Sequence, residues 1–384
     1  MSPSNARRGG PPGEITRGRR LSRARVLAVG GALAVGVVAV GLAVAELWLR
    51  QGDPRLSPGA SVTNPAPRGS APVGMPRVPL MLVDDETCYV GFAPRTEQTF
   101  AREGTPLRHR HLTDAEGFRV DDPAQARSAT CRVLAVGDSF TAGLYVDAAR
   151  AWPAVLEAKL RARGFSVRVD NGGLQGHTIT QERVEVLGRW ASLRPRVVVV
   201  GRSSNDVTDV LSLQGAGCRI GGAPPRAFAP AVPEALQDLR IVEGALEVRA
   251  RLRVMTERQR QILRGDAPAV DAGRCAAAGE AYVAEARELA RGAVRAGTRV
   301  LFAAFEHARC GDESSMLNPA TFEARVEAAV IAEGARTVDL HGVFEGPADR
   351  LQPWDNHPSP RGHEGLAEGI AADLMASGWL LGCR

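Results

Sequence analysis

Apolar residues run without a break over positions 26–45, a stretch of Val, Leu, Ala and Gly. At 1.5 Å per residue this is about the 30 Å needed to cross a bilayer core. Glu46 ends the run, and Leu47, Trp48 and Leu49 follow as an interfacial rim. Seven arginines but only one acid, Glu14, lie in the first 25 residues. The positive-inside rule therefore predicts a cytoplasmic tail over 1–25, a signal anchor over 26–49 and export of everything beyond. Ala43-Val44-Ala45 also fits a small-residue cleavage site, and Arg19-Arg20 a twin-arginine signal, so a cleaved leader is the alternative. The length of the run favours retention, and both readings export the body of the chain.

Seven prolines fall in residues 51–80, among Gly, Ser and Ala. This predicts a semi-extended linker over 50–80. A lead-in segment follows over 81–130. From 131 the pattern alternates between short apolar runs and helical periodicity. Strands are expected at 132–136, 166–170, 197–200, 299–305 and 337–340. Helices are expected at 151–163, 180–193, 276–296 and 319–333, with a last one from about Pro360, where proline suits a first turn. The four valines of 197–200 read as a strand covered on both faces. Alternating βα units imply an α/β fold, a three-layer α/β/α sandwich around a five-stranded parallel sheet. Residues 207–265 interrupt the alternation and read as a mostly helical insertion within a domain spanning 131–384.

Charge changes the picture little once it is located. The net charge of +5 resides in the arginine-rich tail, and the rest of the chain is nearly balanced. No basic footprint remains for DNA or RNA, so nucleic acid is excluded as a partner. The six cysteines form no CxxC pair and show no zinc spacing. In an exported chain they suit up to three disulfides. Cys218 and Cys275 flank the insertion and are expected to pair.

An open parallel sheet places its site at the carboxyl ends of its strands. Gly137-Asp138-Ser139-Phe140 follows the first strand, and Asn171-Gly172-Gly173-Leu174-Gln175-Gly176 the second. Ser203-Ser204-Asn205-Asp206 follows the third, and Asp355-Asn356-His357-Pro358 precedes the last helix. A hydroxyl, a histidine with an acid, a carboxamide and approachable backbone are the parts of an acyl-transfer site. Each has a plainer reading. Ser139 and Asn205 could cap helices, Gly176 could only turn the chain, and Asp138 and Asp206 are expected to brace turns. His363 is expected to support the last helix. His109, His111, His307 and His341 have no metal-ligand spacing, and the chain has no HExxH and no GxSxG.

Taken together, these blocks resemble the SGNH (GDSL-type) hydrolases from about residue 115 onward, and the segment Asp114 to Arg119 is similar to the lead-in of bacterial membrane-anchored members. The resemblance implies a flavodoxin-like fold, Ser139 as nucleophile, His357 as general base and Asp355 as its orienting acid. It implies an oxyanion hole from the N–H groups of Ser139 and Gly176 with the Asn205 side chain, and neither metal nor organic cofactor. The substrate class implied is a small-molecule, lipid or glycan ester; oligomeric state is left open. Two positions depart from the pattern. Ser203 stands where the family has glycine, and Asp355-x-His357 replaces Asp-x-x-His, a spacing similar to that of some polysaccharide O-acetyltransferases. Three readings follow: an extracytoplasmic esterase or lipase, an O-acyltransferase acting on an envelope polysaccharide, and a non-catalytic binding module on the same fold.

Overall fold

The computed structural model describes residues 82–384, apart from 85–88, 93, 96, 103, 124–127, 216–270 and 311–316. The expected tail, anchor and linker, and most of the expected helical insertion, lie outside the described residues. Among the described residues no helix is long and apolar enough to cross a membrane.

Two short strands, β1 (Leu82–Asp84) and β2 (Tyr89–Gly91), pair antiparallel by themselves. Three more come from the expected lead-in: β3 (Glu97–Ala101), β4 (Arg108–Thr113) and β5 (Arg119–Val120). The central strands are β6 (Cys131–Val136), β7 (Val167–Asn171), β8 (Val197–Arg202), β9 (Arg299–Ala304) and β10 (Arg336–Asp339). The large sheet has the order β10-β9-β8-β6-β7-β5-β4-β3. Its first five strands are parallel, as the βα alternation predicts, and its last three are antiparallel. The five-stranded expectation thus covers only the parallel part. The antiparallel extension escaped because its inward positions are polar: His109, His111, Thr113 and Arg119 are all buried.

Alternation along the strands builds two cores. Leu134, Val136, Val198, Val200, Val300 and Phe302 face one side. There they meet α3 (Ile179–Val184), α4 (Asp206–Gly215), α5 (Ala272–Arg295) and α6 (Pro319–Ile331). Val133, Ala135, Val197, Val199, Leu301 and Ala303 face the other side. They pack on Phe140 of α1 (Ser139–Ala142), on Trp152, Leu156 and Leu160 of α2 (Trp152–Ala162), and on Leu366, Ile370 and Leu374 of α7 (Pro360–Ala376). β8 is buried along its whole length, as a strand covered on both faces must be. The three-layer α/β/α architecture is the one expected.

The helix expected over 180–193 is divided. α3 passes into a π-helical turn, Glu185–Arg189, and then a 3₁₀ turn, Ala191–Leu193. The wide turn is closed by the Trp190 N–H donating to the Glu185 carbonyl at 2.8 Å. It seats Trp190 against Phe118, ring centroids 4.4 Å apart, which fixes the base of the antiparallel extension.

Among the described residues two disulfides staple the domain, Cys131–Cys383 and Cys275–Cys310. The second corrects the expected Cys218–Cys275 pair. Proximity in sequence to the insertion misled, because Cys275 lies in the first turns of α5 and faces the segment after β9 instead. Cys131–Cys383 ties the first central strand to the C-terminus across 252 residues. Loop-closure entropy makes it worth roughly 5 kcal/mol. A Cys131→Ser/Cys383→Ser variant should lose stability of that order in denaturant unfolding. Peptide mapping without reduction should return both pairs, and a Cys218–Cys275 peptide would overturn the assignment.

Candidate active site

Chain direction at the end of β6 is set by Gly137, whose φ is +151°. A Cβ there would come within 2.2 Å of Thr141 Oγ1 and 2.8 Å of the Gly201 carbonyl. Only glycine permits this turn. Asp138 then caps α1, its Oδ1 accepting from the Phe140 N–H at 2.9 Å. Ser139 is the first residue of α1, at the positive end of a one-turn helix. The other end of α1 rests on Arg119 of β5. Its guanidinium, buried and drawn down to about 10 by that burial, donates to the Ala142 carbonyl, to the Gly143 carbonyl at 2.7 Å and to the Val146 carbonyl at 2.6 Å. A charge that remains cationic at neutral pH thus satisfies buried carbonyls at and just beyond the end of the turn that carries Ser139.

His357 arrives from the segment before α7. Its Nε2 lies 2.8 Å from Ser139 Oγ. Asp355 Oδ1 accepts from both the His357 Nδ1 and, at 2.8 Å, the His357 backbone N–H. The two-residue spacing therefore works as a tight turn in which one carboxylate oxygen holds the ring and the backbone of the same histidine. The Leu351 N–H donates to the His357 carbonyl at 2.9 Å, and the Asp355 N–H to the Leu351 carbonyl at 3.0 Å, which fixes the turn. Phe140 lies 5.3 Å from the imidazole, and Tyr145 presents its ring edge-on at 6.3 Å. Trp354, in the same turn, is 44% exposed.

Asp355 has a second partner that the sequence did not announce. Its Oδ2 accepts from Arg102 Nη1, at the turn between β3 and β4. Burial pushes this carboxyl up, but the bond and charge of His357 and the charge of Arg102 outweigh it and hold it at about 2. The antiparallel extension therefore reaches the hydrogen-bonded chain Arg102–Asp355–His357–Ser139.

Gly176 and Asn205 lie in the loops after β7 and β8, the two strands that flank β6. The Leu174 N–H donates to the Gly137 carbonyl at 3.1 Å, so the first loop packs directly on the Ser139 turn. Gly176 has φ +72°, and the space where a Cβ would stand is open. The second loop is joined through Ser203. Its hydroxyl lies 2.7 Å from Asp138 Oδ2 and 2.6 Å from Asn205 Oδ1. The hydroxyl at a position where the family has glycine adds a bridge between the cap of α1 and the carboxamide. Asn205 Nδ2 donates to Asp209 Oδ2. Asp206 accepts from the Ser203 N–H at 3.3 Å and from Tyr282 Oη at 2.9 Å. Asp138 and Asp206 thus brace turns, as expected, and buried His363 supports α2 by accepting from the Trp152 N–H at 3.3 Å.

The carboxyls behind Asn205 share one buried neighbourhood. Burial, then the Asp138 charge, push Asp206 up to about 8 and Asp209 up to about 7. Each holds a proton in the folded state that the unfolded chain loses at about pH 4. Stability is therefore greatest at the acid side of this window and falls as pH rises through 7 and 8. Buried His109 and His363, drawn down to about 2 and about 3 by burial, act oppositely, but only below their ordinary value of 6.5. Urea unfolding should thus show lower stability at about pH 8.5 than at about pH 6.5, by up to about 1.4 kcal/mol per pH unit for each proton released. Asp206→Asn should flatten that slope. A parent without the slope, or a variant that keeps it, would contradict the assignment.

The arrangement has the chemistry of an activated hydroxyl: an imidazole within hydrogen-bond reach of Oγ, oriented on its far side by a carboxylate. The family model for the GDSL-like lipase/acylhydrolase family matches residues 135–364, more than half of the 384-residue chain. Esterase TesA of Pseudomonas aeruginosa is 31% identical over 80 residues, which are 21% of this chain and 40% of that protein. The chain thus spans well under two thirds of the length of the curated relative it matches. A crystal structure of TesA shares 21% identity at a TM-score of 0.38, covering 64% of this chain and 98% of its own. Axe2, an acetylxylan esterase from Geobacillus stearothermophilus, shares 15% identity at a TM-score of 0.39, covering 65% of this chain and 96% of its own. With the four blocks in order along one sheet edge and the family model matched across them, the chain belongs to the GDSL-like lipase/acylhydrolase family.

Proposed function

We propose that this chain is a serine-dependent hydrolase of carboxylic esters that works through an acyl-enzyme on Ser139. The observation that carries the reading is the 2.8 Å contact between His357 Nε2 and Ser139 Oγ, with Asp355 on the opposite ring nitrogen. His357 takes the hydroxyl proton as Oγ bonds to the ester carbonyl carbon. The carbonyl oxygen becomes an oxyanion, received by the N–H groups of Ser139 and Gly176 and by the Asn205 carboxamide, each worth roughly 3–4 kcal/mol in the transition state. Collapse expels the alcohol, which takes the proton from His357. Water then enters by the same route, activated by His357, and releases the acid. Asp355 stays ionised throughout and stabilises the imidazolium. The experiment is turnover of p-nitrophenyl acetate together with covalent capture by a fluorophosphonate probe; absence of both in folded protein sinks the reading.

The substrate is a small-molecule, lipid or glycan ester. A second reading, transfer of the acyl group to a glycan hydroxyl, rests on the Asp355-x-His357 spacing and uses the same residues with a sugar in place of water.

The location proposed is outside the cytoplasm, on an anchor formed by residues 26–49. The arginines before the apolar run support it, as do two disulfides suited to an oxidising compartment. A reporter enzyme fused at the C-terminus should be active only on the outer side of the membrane, and cytoplasmic activity of the fusion would contradict it.

A further inference from the structure

Two histidines with no metal-ligand spacing in the sequence come together at the carboxyl ends of β9 and β10. His307 follows β9, and His341 opens the 3₁₀ turn His341–Phe344 just after β10. Their ring centroids are 3.8 Å apart. Glu323, on α6, faces them, and one ligand atom from each of the three side chains lies within 4.8 Å of the others. Among the described residues this is the group of His, Cys, Asp or Glu side chains whose ligand atoms converge so closely.

We infer that His307, Glu323 and His341 form a binding site for a divalent transition-metal ion of the zinc type. The donor set is two imidazoles and one carboxylate, which suits Zn²⁺ and disfavours Mg²⁺ or Ca²⁺, ions that select oxygen. Ligands about 2.0–2.2 Å from a tetrahedral zinc stand roughly 3.3–3.5 Å from one another, so closing on an ion needs only small side-chain rotations. His307 is exposed, so a water can complete the tetrahedron.

A second observation points the same way. His341 Nδ1 lies 2.8 Å from Asp339 Oδ1. A carboxylate on one ring nitrogen fixes that nitrogen as the N–H and leaves the other as the lone-pair donor, the usual outer support of a metal-bound imidazole. The other nitrogen, His341 Nε2, is buried and has no hydrogen-bond partner. A buried acceptor with nothing to accept from is costly, and a metal ion in front of it removes the cost. Buried His109 and His111 also have ring nitrogens without partners. They sit among Phe92, Phe100 and Arg119, and the neighbouring charge that acts on them is the positive one of Arg119.

Two contacts compete, the weaker being the Ala308 N–H, which donates to Glu323 Oε1 at a marginal 3.5 Å. Glu323 Oε2 is paired with Arg202 Nη1 at 2.7 Å. The carboxylate therefore serves the ion through its other oxygen, as a monodentate ligand whose charge is shared with Arg202. The site joins three separate pieces of chain: the segment after β9 that also holds Cys310, α6, and the turn after β10. An ion there would clip the far edge of the parallel sheet. It lies at the ends of β9 and β10, beyond β8 on the side away from β7, and includes none of the residues assigned to the Ser139 chemistry.

The test uses the untagged full-length chain and Zn²⁺ alone as the probe. After chelator treatment and dialysis, calorimetric titration should show one site of micromolar or tighter affinity, and the unfolding temperature should rise with Zn²⁺. Co²⁺ in place of Zn²⁺ should give the visible absorption of a four-coordinate site. His307→Ala, an exposed position whose loss does not disturb the core, and His341→Ala should each weaken binding at least about 100-fold, and Asp339→Asn about 10-fold. Hydrolysis of p-nitrophenyl acetate by His307→Ala should equal that of the parent, so failure of the metal site and failure of the esterase reading are separable. The inference is overturned if the parent binds no Zn²⁺, if His307→Ala binds it as the parent does, or if binding is lost in His357→Ala and kept in His307→Ala.

Discussion

Replacing Ser139 by alanine should lower kcat for p-nitrophenyl acetate by at least about 10⁴-fold and abolish capture by a fluorophosphonate probe, with the fold unchanged. The size follows from what the hydroxyl does. In the proposed reaction it supplies the bond to the acyl carbon, so its loss removes the covalent route altogether and leaves only oxyanion stabilisation of attack by water. The fold should survive because Oγ makes few structural contacts. It touches His357 Nε2 at 2.8 Å and Asp138 Oδ2 at a marginal 3.5 Å, whereas α1 is held by the Asp138 cap and by Arg119. Circular dichroism and the unfolding midpoint should match those of the parent. An alanine variant that turns over the ester at the parental rate would falsify Ser139 as the nucleophile, whatever its contact with His357.

The parallel half of the sheet was legible because physics and sequence agree there at every level. The valines of β8 are apolar on both faces, and the strand is covered on both faces. The Ser139 block and the Asn205 block could be read because each directly follows such a strand. The antiparallel half could not be read. β4 buries His109, His111 and Thr113, and β5 buries Arg119. A periodicity search sees these as solvent-facing positions. They are inside because Arg119 finds the carbonyls at the end of α1 and His109 accepts from the Tyr145 N–H at 2.9 Å. Polar residues that serve the active-site turn therefore look like a surface strand. Arg102 was hidden by distance instead, since its partner Asp355 is 253 positions away. Cysteine pairing was missed on a related ground. Cys275 and Cys310 stand 35 residues apart, and only the packing of α5 on the segment after β9 brings them together. The His307–Glu323–His341 group likewise draws on three elements at once, and no spacing within one element encodes it.

Asp355→Asn should lower kcat by about 10³–10⁴-fold while leaving the fold intact, and the reason lies in the count of donors around this side chain. The carboxylate receives three: the His357 backbone N–H and the His357 Nδ1–H on one oxygen, and Arg102 on the other. Asparagine has one acceptor oxygen, and its NH₂ can only donate. If the oxygen stays with His357, the NH₂ confronts the Arg102 guanidinium, donor against donor. If the amide turns over to satisfy Arg102, the NH₂ donates to Nδ1, the proton moves to Nε2, and the imidazole faces Ser139 with no lone pair to take its proton. Neither orientation places a negative charge beside the imidazolium that the proposed attack would form. Arg102→Gln should be much milder, because Asp355 keeps both of its bonds to His357 and the substituted position is half-exposed. With Asp355 held at about 2, the carboxylate is ionised throughout any practical assay range, so the acid limb of kcat in the parent belongs to another group. The decisive comparison is kcat of the two variants on one ester at one pH. Near-parental turnover by Asp355→Asn would reduce the triad to a Ser139–His357 pair and leave Asp355 as a brace for the turn before α7.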